Sequence, residues 1–212
     1  MVGHTNLRAP LILMNFGCIA GTVWFRPMKL AKEADAAKAR FASPQGDHMT
    51  LLNVYHQYTQ SGFLFVRKHA SCSHSSDKAD EKWAWENYLS RYVLTTAEDI
   101  RIQLKQLMVQ HSLPLVKSPH AMNDPGRHRD IGKALLCGFF GQVAQRDVGK
   151  KGFKTMSGEE VLLHASCLLL RSNPNATWVM YDKILHTTGR FMLTVSVIDR
   201  QWFVLPLRRS CT

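Results

Sequence analysis

Up to about residue 111 the apolar positions recur at helical spacing, and from residue 153 onward they alternate. Residues 29–41 (KLAKEADAAKARF) place Leu30, Ala34, Ala37 and Phe41 on one stripe. Their five alanines, with no Gly or Pro, are strong helix composition. Pro44 and Gly46 end this helix, and Asp47 is placed to cap a second one over Met49–Tyr58. Leu51, Leu52, Val54, Tyr55 and Tyr58 supply its buried face. Residues 59–82 break the pattern, and His69–Asp80, rich in Ser, His and charge, reads as a mobile surface loop. Trp83–Tyr92 carries an aromatic face of Trp85, Tyr88 and Tyr92. Thr95 and Glu98 have capping-box spacing ahead of a helix over Ala97–His111, with Ile100, Leu104, Leu107 and Met108 on its stripe.

Pro114, Pro119, Pro125 and Gly126 mark residues 112–128 as a connection. A further helix is expected over Arg129–Arg146, with Ile131, Leu135, Phe139 and Val143 on one face and a turn through Gln145–Gly152. Then the period becomes two. Phe153–Met156, Val161–His164, Thr177–Tyr181, Ile184–Thr188, Phe191–Ile198 and Trp202–Leu205 are short runs rich in β-branched and aromatic residues. Strands this short and close predict a small barrel or sandwich, and a barrel removes exposed edges. Trp178, Tyr181 and Trp202 read as core residues.

Charge changes the picture next. Lys plus Arg number 27 against 16 Asp plus Glu, a formal +11 over 212 residues. Residues 1–128 hold 15 basic and 10 acidic residues, and residues 129–212 hold 12 and 6, so both halves are positive. Such an excess favours polyanionic partners, nucleic acid above all. The candidate contacts are Arg146, Lys150, Lys151 and Lys154 around the first barrel loop, with Arg129, Lys133 and Arg190 adding to the same face.

Five cysteines, at 18, 72, 137, 167 and 211, form no CxxC pair, which argues against a disulfide framework. His69, Cys72 and His74 lack a matching second pair, so no metal is expected. The apolar run Ala9–Phe25 is roughly 17 residues, the short limit for a membrane span. Asn15, Gly17 and Gly21 interrupt it. It reads as a buried helix running into a short strand, a signal peptide being the alternative, and no membrane is expected. There is no GxxxxGK[ST], GxSxG or HExxH, and the acidic residues are scattered. No catalytic residue is therefore assigned.

A resemblance emerges once these segments are set in order. Phe25-Arg26-Pro27, the helix to Phe41 and Gly46-Asp47-His48-Met49-Thr50-Leu51-Leu52-Asn53-Val54-Tyr55 resemble the C-terminal region of DEAH-box RNA helicases. The likeness is greatest to members serving pre-mRNA splicing and ribosome biogenesis. It continues through Ile100-Arg101, Gln103-Leu104, Lys133-Ala134-Leu135, Gly138-Phe139-Phe140, Gln142-Val143-Ala144, Trp178-Val179, Tyr181, Thr187-Thr188 and Trp202.

The resemblance implies an α+β chain: a helical, ratchet-like bundle over 25–120, then an OB-type β-barrel over 129–207, with 1–24 a separate apolar segment. It implies the RNA-binding accessory portion of an ATP-dependent RNA helicase, a C-terminal fragment, truncated product or divergent paralogue, in the nucleus. RNA and a glycine-patch, spliceosomal or ribosome-assembly protein are the implied partners. No cofactor is expected in this chain, since ATP and Mg belong to the family's motor, and no ATPase activity is expected from it alone. A different class is a protein-interaction module that docks a helicase cofactor or splicing factor without touching RNA. Against the family pattern, Gly132 stands for a usual arginine, Ala165 for a proline, Lys183 for an acidic residue, Gly189 for a lysine and Leu193 for an arginine. The changes at Gly132, Gly189 and Leu193 each remove a cation.

Overall fold

The structure is a computed structural model and describes residues 23–60, 74–113, 124–147, 149 and 152–202. Most of the apolar run from Ala9 and all of 61–73 lie outside the described residues.

Among the described residues, five helices come first. After a 3-10 turn at Met28–Leu30 they are α1 (Ala31–Arg40), α2 (Asp47–Gln60), α3 (His74–Glu86), α4 (Arg91–Gln110) and α5 (Pro125–Gly138). Helix α2 follows its stripe, and α1 buries Ala34 and Ala37, but Leu30, expected on the same stripe, lies in the preceding 3-10 turn and is exposed. Helix α2 lies at the centre: Val54 and Tyr58 are fully buried, and Tyr58 and Phe41 each pack a ring against Trp83.

Three helix boundaries differ from the sequence reading. The charged stretch from His74 to Lys82, expected as loop, is helical in α3. Asp80, in the middle of that stretch, is buried and accepts hydrogen bonds from the Tyr58 hydroxyl and the Arg91 guanidinium, both at 3.0 Å. A charged turn is thus recruited by partners distant in sequence. Helix α4 starts at Arg91, capped by Ser90, whose hydroxyl accepts the Val93 N–H. Thr95 and Glu98 are therefore internal and form no capping box. The Thr95 hydroxyl donates to Tyr92 O, while Glu98 is buried between Tyr55 and Arg101. Helix α5 starts earlier, at Pro125 with Asp124 as cap, and stops at Gly138.

The expected end of α5 is instead the first strand. Strands β1 (Val143–Arg146), β2 (Phe153–Thr155), β3 (Glu160–Leu163), β4 (Trp178–His186) and β5 (Arg190–Val197) close a barrel in the order β1-β2-β3-β5-β4. All neighbours are antiparallel except β3 and β5. The expected strands 177–181 and 184–188 are one continuous strand, β4; Trp202, expected to open a strand over Trp202–Leu205, ends a helical stretch at 200–202, and 203–205 lie outside the described residues. A short helix α6 (Leu169–Ser172) lies between β3 and β4, and Leu169 is fully buried in the barrel cluster.

Ala144, Phe153, Val161, Val179, Met192 and Val195 fill the barrel. The larger helical core does not stop at the barrel wall: Val143, Met180 and Ile198 belong to it, with Trp178 and Trp202 packed on its edge. Tyr181 is buried, so the three aromatics expected as core are engaged in packing. The apolar faces of bundle and barrel are thereby removed from water together.

Candidate nucleic-acid interface

Gly46-Asp47-His48 holds bundle and barrel in register. Gly46 has φ +116 and forms an antiparallel bridge with Ser196, and a Cβ there would lie 2.4 Å from the Val195 carbonyl oxygen. Only glycine combines that backbone with that approach. The Asp47 carboxylate accepts the Leu168 N–H at 3.1 Å and the Val195 N–H at 3.0 Å. The His48 ring is fully buried and its Nδ1 lies 2.9 Å from Ser196 Oγ. Burial pushes its pKa down to about 4. On the barrel side, Thr194 holds φ +52, unusual for a β-branched residue, immediately before the bonded pair Val195–Ser196.

Leu168, bonded to Asp47 at this seam, also lines a groove of about 470 Å³. Its walls are Trp24, Phe25 and Arg26, then Asp35 and Lys38 on α1, then His164–Leu168 and Arg171 from the barrel. The Lys38 ammonium donates to Ser166 O at 2.6 Å and lies 5.2 Å from the centre of the Trp24 ring. Arg26 grips Asp35 through two N–H···O bonds, at 2.8 and 2.9 Å. These bonds, with further attraction from Arg171 and Lys38, hold the Asp35 carboxyl below its ordinary range. The indole N–H of Trp24 is buried without an acceptor among the described residues.

The cations singled out in the sequence lie elsewhere. Lys150 and Lys151 fall outside the described residues. Arg146, at the end of β1, donates to Ala176 O at 2.8 Å and to Pro174 O, and stacks 4.8 Å above the centre of the Phe153 ring. Its guanidinium fastens the 174–176 loop to the barrel. Lys154 is exposed on β2, in register with Gln145 on one side and Glu160 on the other. Arg190 opens β5 and reaches Glu159 at 3.6 Å. Lys133 is half-buried on α5, and Arg129, on the same helix, lies 3.8 Å from Asp130. Lys154 and Arg190 thus share the β2–β3–β5 side of the barrel with two glutamates, while Lys133 is held on a helix.

The groove residues escaped sequence reasoning. Arg26, Lys38 and Arg171 are separated by up to 145 positions, and no spacing rule joins them. The composition around Lys38 signalled only a helix.

Among the described residues no group of His, Cys, Asp or Glu could hold a metal ion, and no helix is long and apolar enough to cross a membrane. Of the cysteines, Cys137 is free and exposed, and Cys167 is free and buried, with burial raising its thiol pKa. His69 and Cys72 lie outside the described residues.

Comparison with known proteins agrees with this architecture. Residues 131–208 match the family described as oligonucleotide/oligosaccharide-binding (OB)-fold. The chain is 34% identical over 184 residues to the pre-mRNA-splicing factor ATP-dependent RNA helicase prp22 of Schizosaccharomyces pombe. That alignment covers 86% of this chain and 14% of the relative. The closed barrel, its helical partner and this identity place the chain with the C-terminal, OB-fold-bearing region of DEAH-box RNA helicases.

Proposed function

We propose that this chain is an RNA-gripping accessory portion of a DEAH-box helicase, acting in the nucleus on pre-mRNA. One observation carries the reading: the resemblance to a splicing helicase runs across both the bundle and the barrel, which share one core. A relation confined to the barrel would support only a generic OB fold.

In this reading the cations do different work. Lys150, Lys151 and Lys154 on the β1–β2 side neutralise phosphates and release counterions. Arg146, at the end of β1, instead fastens the 174–176 loop through the carbonyls of Pro174 and Ala176. Arg190 and Lys133 add positive field with less freedom to move, one beside Glu159 and the other half-buried on α5. Base stacking contributes little on the Trp178–Tyr181 side, because those rings are packed against the two cores.

The test is anisotropy titration of a fluorescent ten-nucleotide uridine RNA at several salt concentrations. The triple variant Lys150→Glu, Lys151→Glu, Lys154→Glu is expected to lose at least tenfold in affinity. The slope of log affinity against log salt should become shallower by about 0.7 for each phosphate that is no longer neutralised. An affinity that does not change would instead favour the protein-docking module. That second reading has an observation of its own: Trp85 and Tyr92 are 71% and 74% exposed, and the Trp85 ring packs against Phe25.

A further inference from the structure

The seam groove is chemically unlike the β1–β2 side of the barrel. Three cations from two different parts of the fold converge on it: Arg26 and Lys38 from the bundle, Arg171 from the barrel. Asp35 is the only acidic side chain among its described lining residues, which carry a formal +2. Arg171 is exposed, and its guanidinium makes no hydrogen bond among the described residues. Arg26 commits Nε and one terminal nitrogen to Asp35, and Lys38 commits one of its three N–H groups to Ser166 O. Each therefore keeps donors in hand. Such a surplus of donors and positive charge in a concave site calls for an anion with several acceptor oxygens.

Resting on the RNA-binding reading above, we propose that this groove seats a backbone phosphodiester of single-stranded RNA, held between Arg171 and Lys38. It is a second phosphate site, separate from the β1–β2 loop. The Trp24 ring forms an apolar wall, since Lys38 already lies over it. Asp35 sets the strength of the site by opposing the anion and by holding Arg26. The seam, with Asp47 bonded to Leu168 and Val195, keeps the two halves of the groove at a fixed separation. A strand that engages both sites must therefore touch bundle and barrel together.

The experiment is the same uridine RNA titration on the full chain, with thermal melting measured in parallel. Arg171→Glu is expected to weaken binding about tenfold. Arg171→Ala should flatten the salt slope by about 0.7. Asp35→Asn should strengthen binding about threefold, a change that a merely structural role for the groove does not produce. Crosslinking of 4-thiouridine RNA to the wild-type chain, mapped by mass spectrometry, should mark peptides within 24–38 or 164–171.

Three results overturn the proposal. In the first, Arg171 and Asp35 variants bind as wild type while the triple lysine variant is weakened; RNA binding then stands and the groove falls. In the second, affinity falls only in step with melting temperature, and no crosslink maps to the groove. In the third, the wild-type chain binds no RNA, and the functional reading and the groove fall together.

Discussion

The seam and the β1–β2 side of the barrel are both polar, but they use polarity in opposite ways. At the seam, Asp47 and His48 are buried, and each named bond joins the bundle to the barrel. On the β1–β2 side, Lys154 is exposed and answers mainly to solvent and salt. A buried polar group without its partner costs its full desolvation, whereas an exposed charge costs little to alter. The seam should therefore control stability, and exposed Lys154 should act on binding.

The most damaging substitution should be Gly46→Ala. It forces a side chain onto φ +116 and against the Val195 carbonyl oxygen at 2.4 Å. Left-handed strain and overpacking together predict a loss of about 4 kcal/mol in urea unfolding. A midpoint close to wild type would show that the seam yields. Next comes Asp47→Ala, which orphans the Leu168 and Val195 amides. A loss of about 3 kcal/mol is expected from one buried and one half-buried N–H left unpaired, measured in the same way.

Acid should attack the same place through His48. Its folded pKa, about 4, lies below the ordinary 6.5, so between these values the unfolded chain binds the extra proton. The stability from a neutral His48 is thus complete above pH 6.5 and is lost as pH falls toward 4. The expected slope is about 1.4 kcal/mol per pH unit. His56 shifts in the same direction, mainly by burial and then by Arg127. In the His48→Gln variant the acid loss should shrink; a profile that keeps its full steepness would assign the effect elsewhere.

The smallest effects separate two cations on neighbouring strands. Arg146→Gln should cost about 1 kcal/mol of stability by releasing the Pro174 and Ala176 carbonyls. Lys154→Gln should leave stability within about 0.5 kcal/mol while flattening the salt slope of RNA binding by about 0.7. Reversal of these two results would mean that the exposed lysine is structural and the bonded arginine is the contact.

The helical stripes of α1 and α2 and the alternating runs after residue 153 were legible because one amphipathic face has one period. The boundaries that differed have a common cause. Val143 suits the apolar face of α5 by spacing, yet it is in a strand, because β2 and β4 supply ladder partners on both sides. Asp80 carries a loop-like charge, yet it is helical, because Tyr58 and Arg91 neutralise the cost of burying it. The basic loop was visible as composition, but the commitment of Arg146 to two carbonyls was not.

By itself the sequence determined the order of a helical bundle and a β-rich half, the positive charge, and the Gly46-Asp47-His48 run that pointed to the family. These are local or compositional properties, and each is written in adjacent residues or a fixed period. Only the tertiary structure decided what those residues do. It brought Asp47 to the Val195 and Leu168 amides, and Arg26 and Lys38 to the same groove as Arg171. Such meetings depend on closing a barrel and sharing a core across it, and neither leaves a periodic trace along the chain.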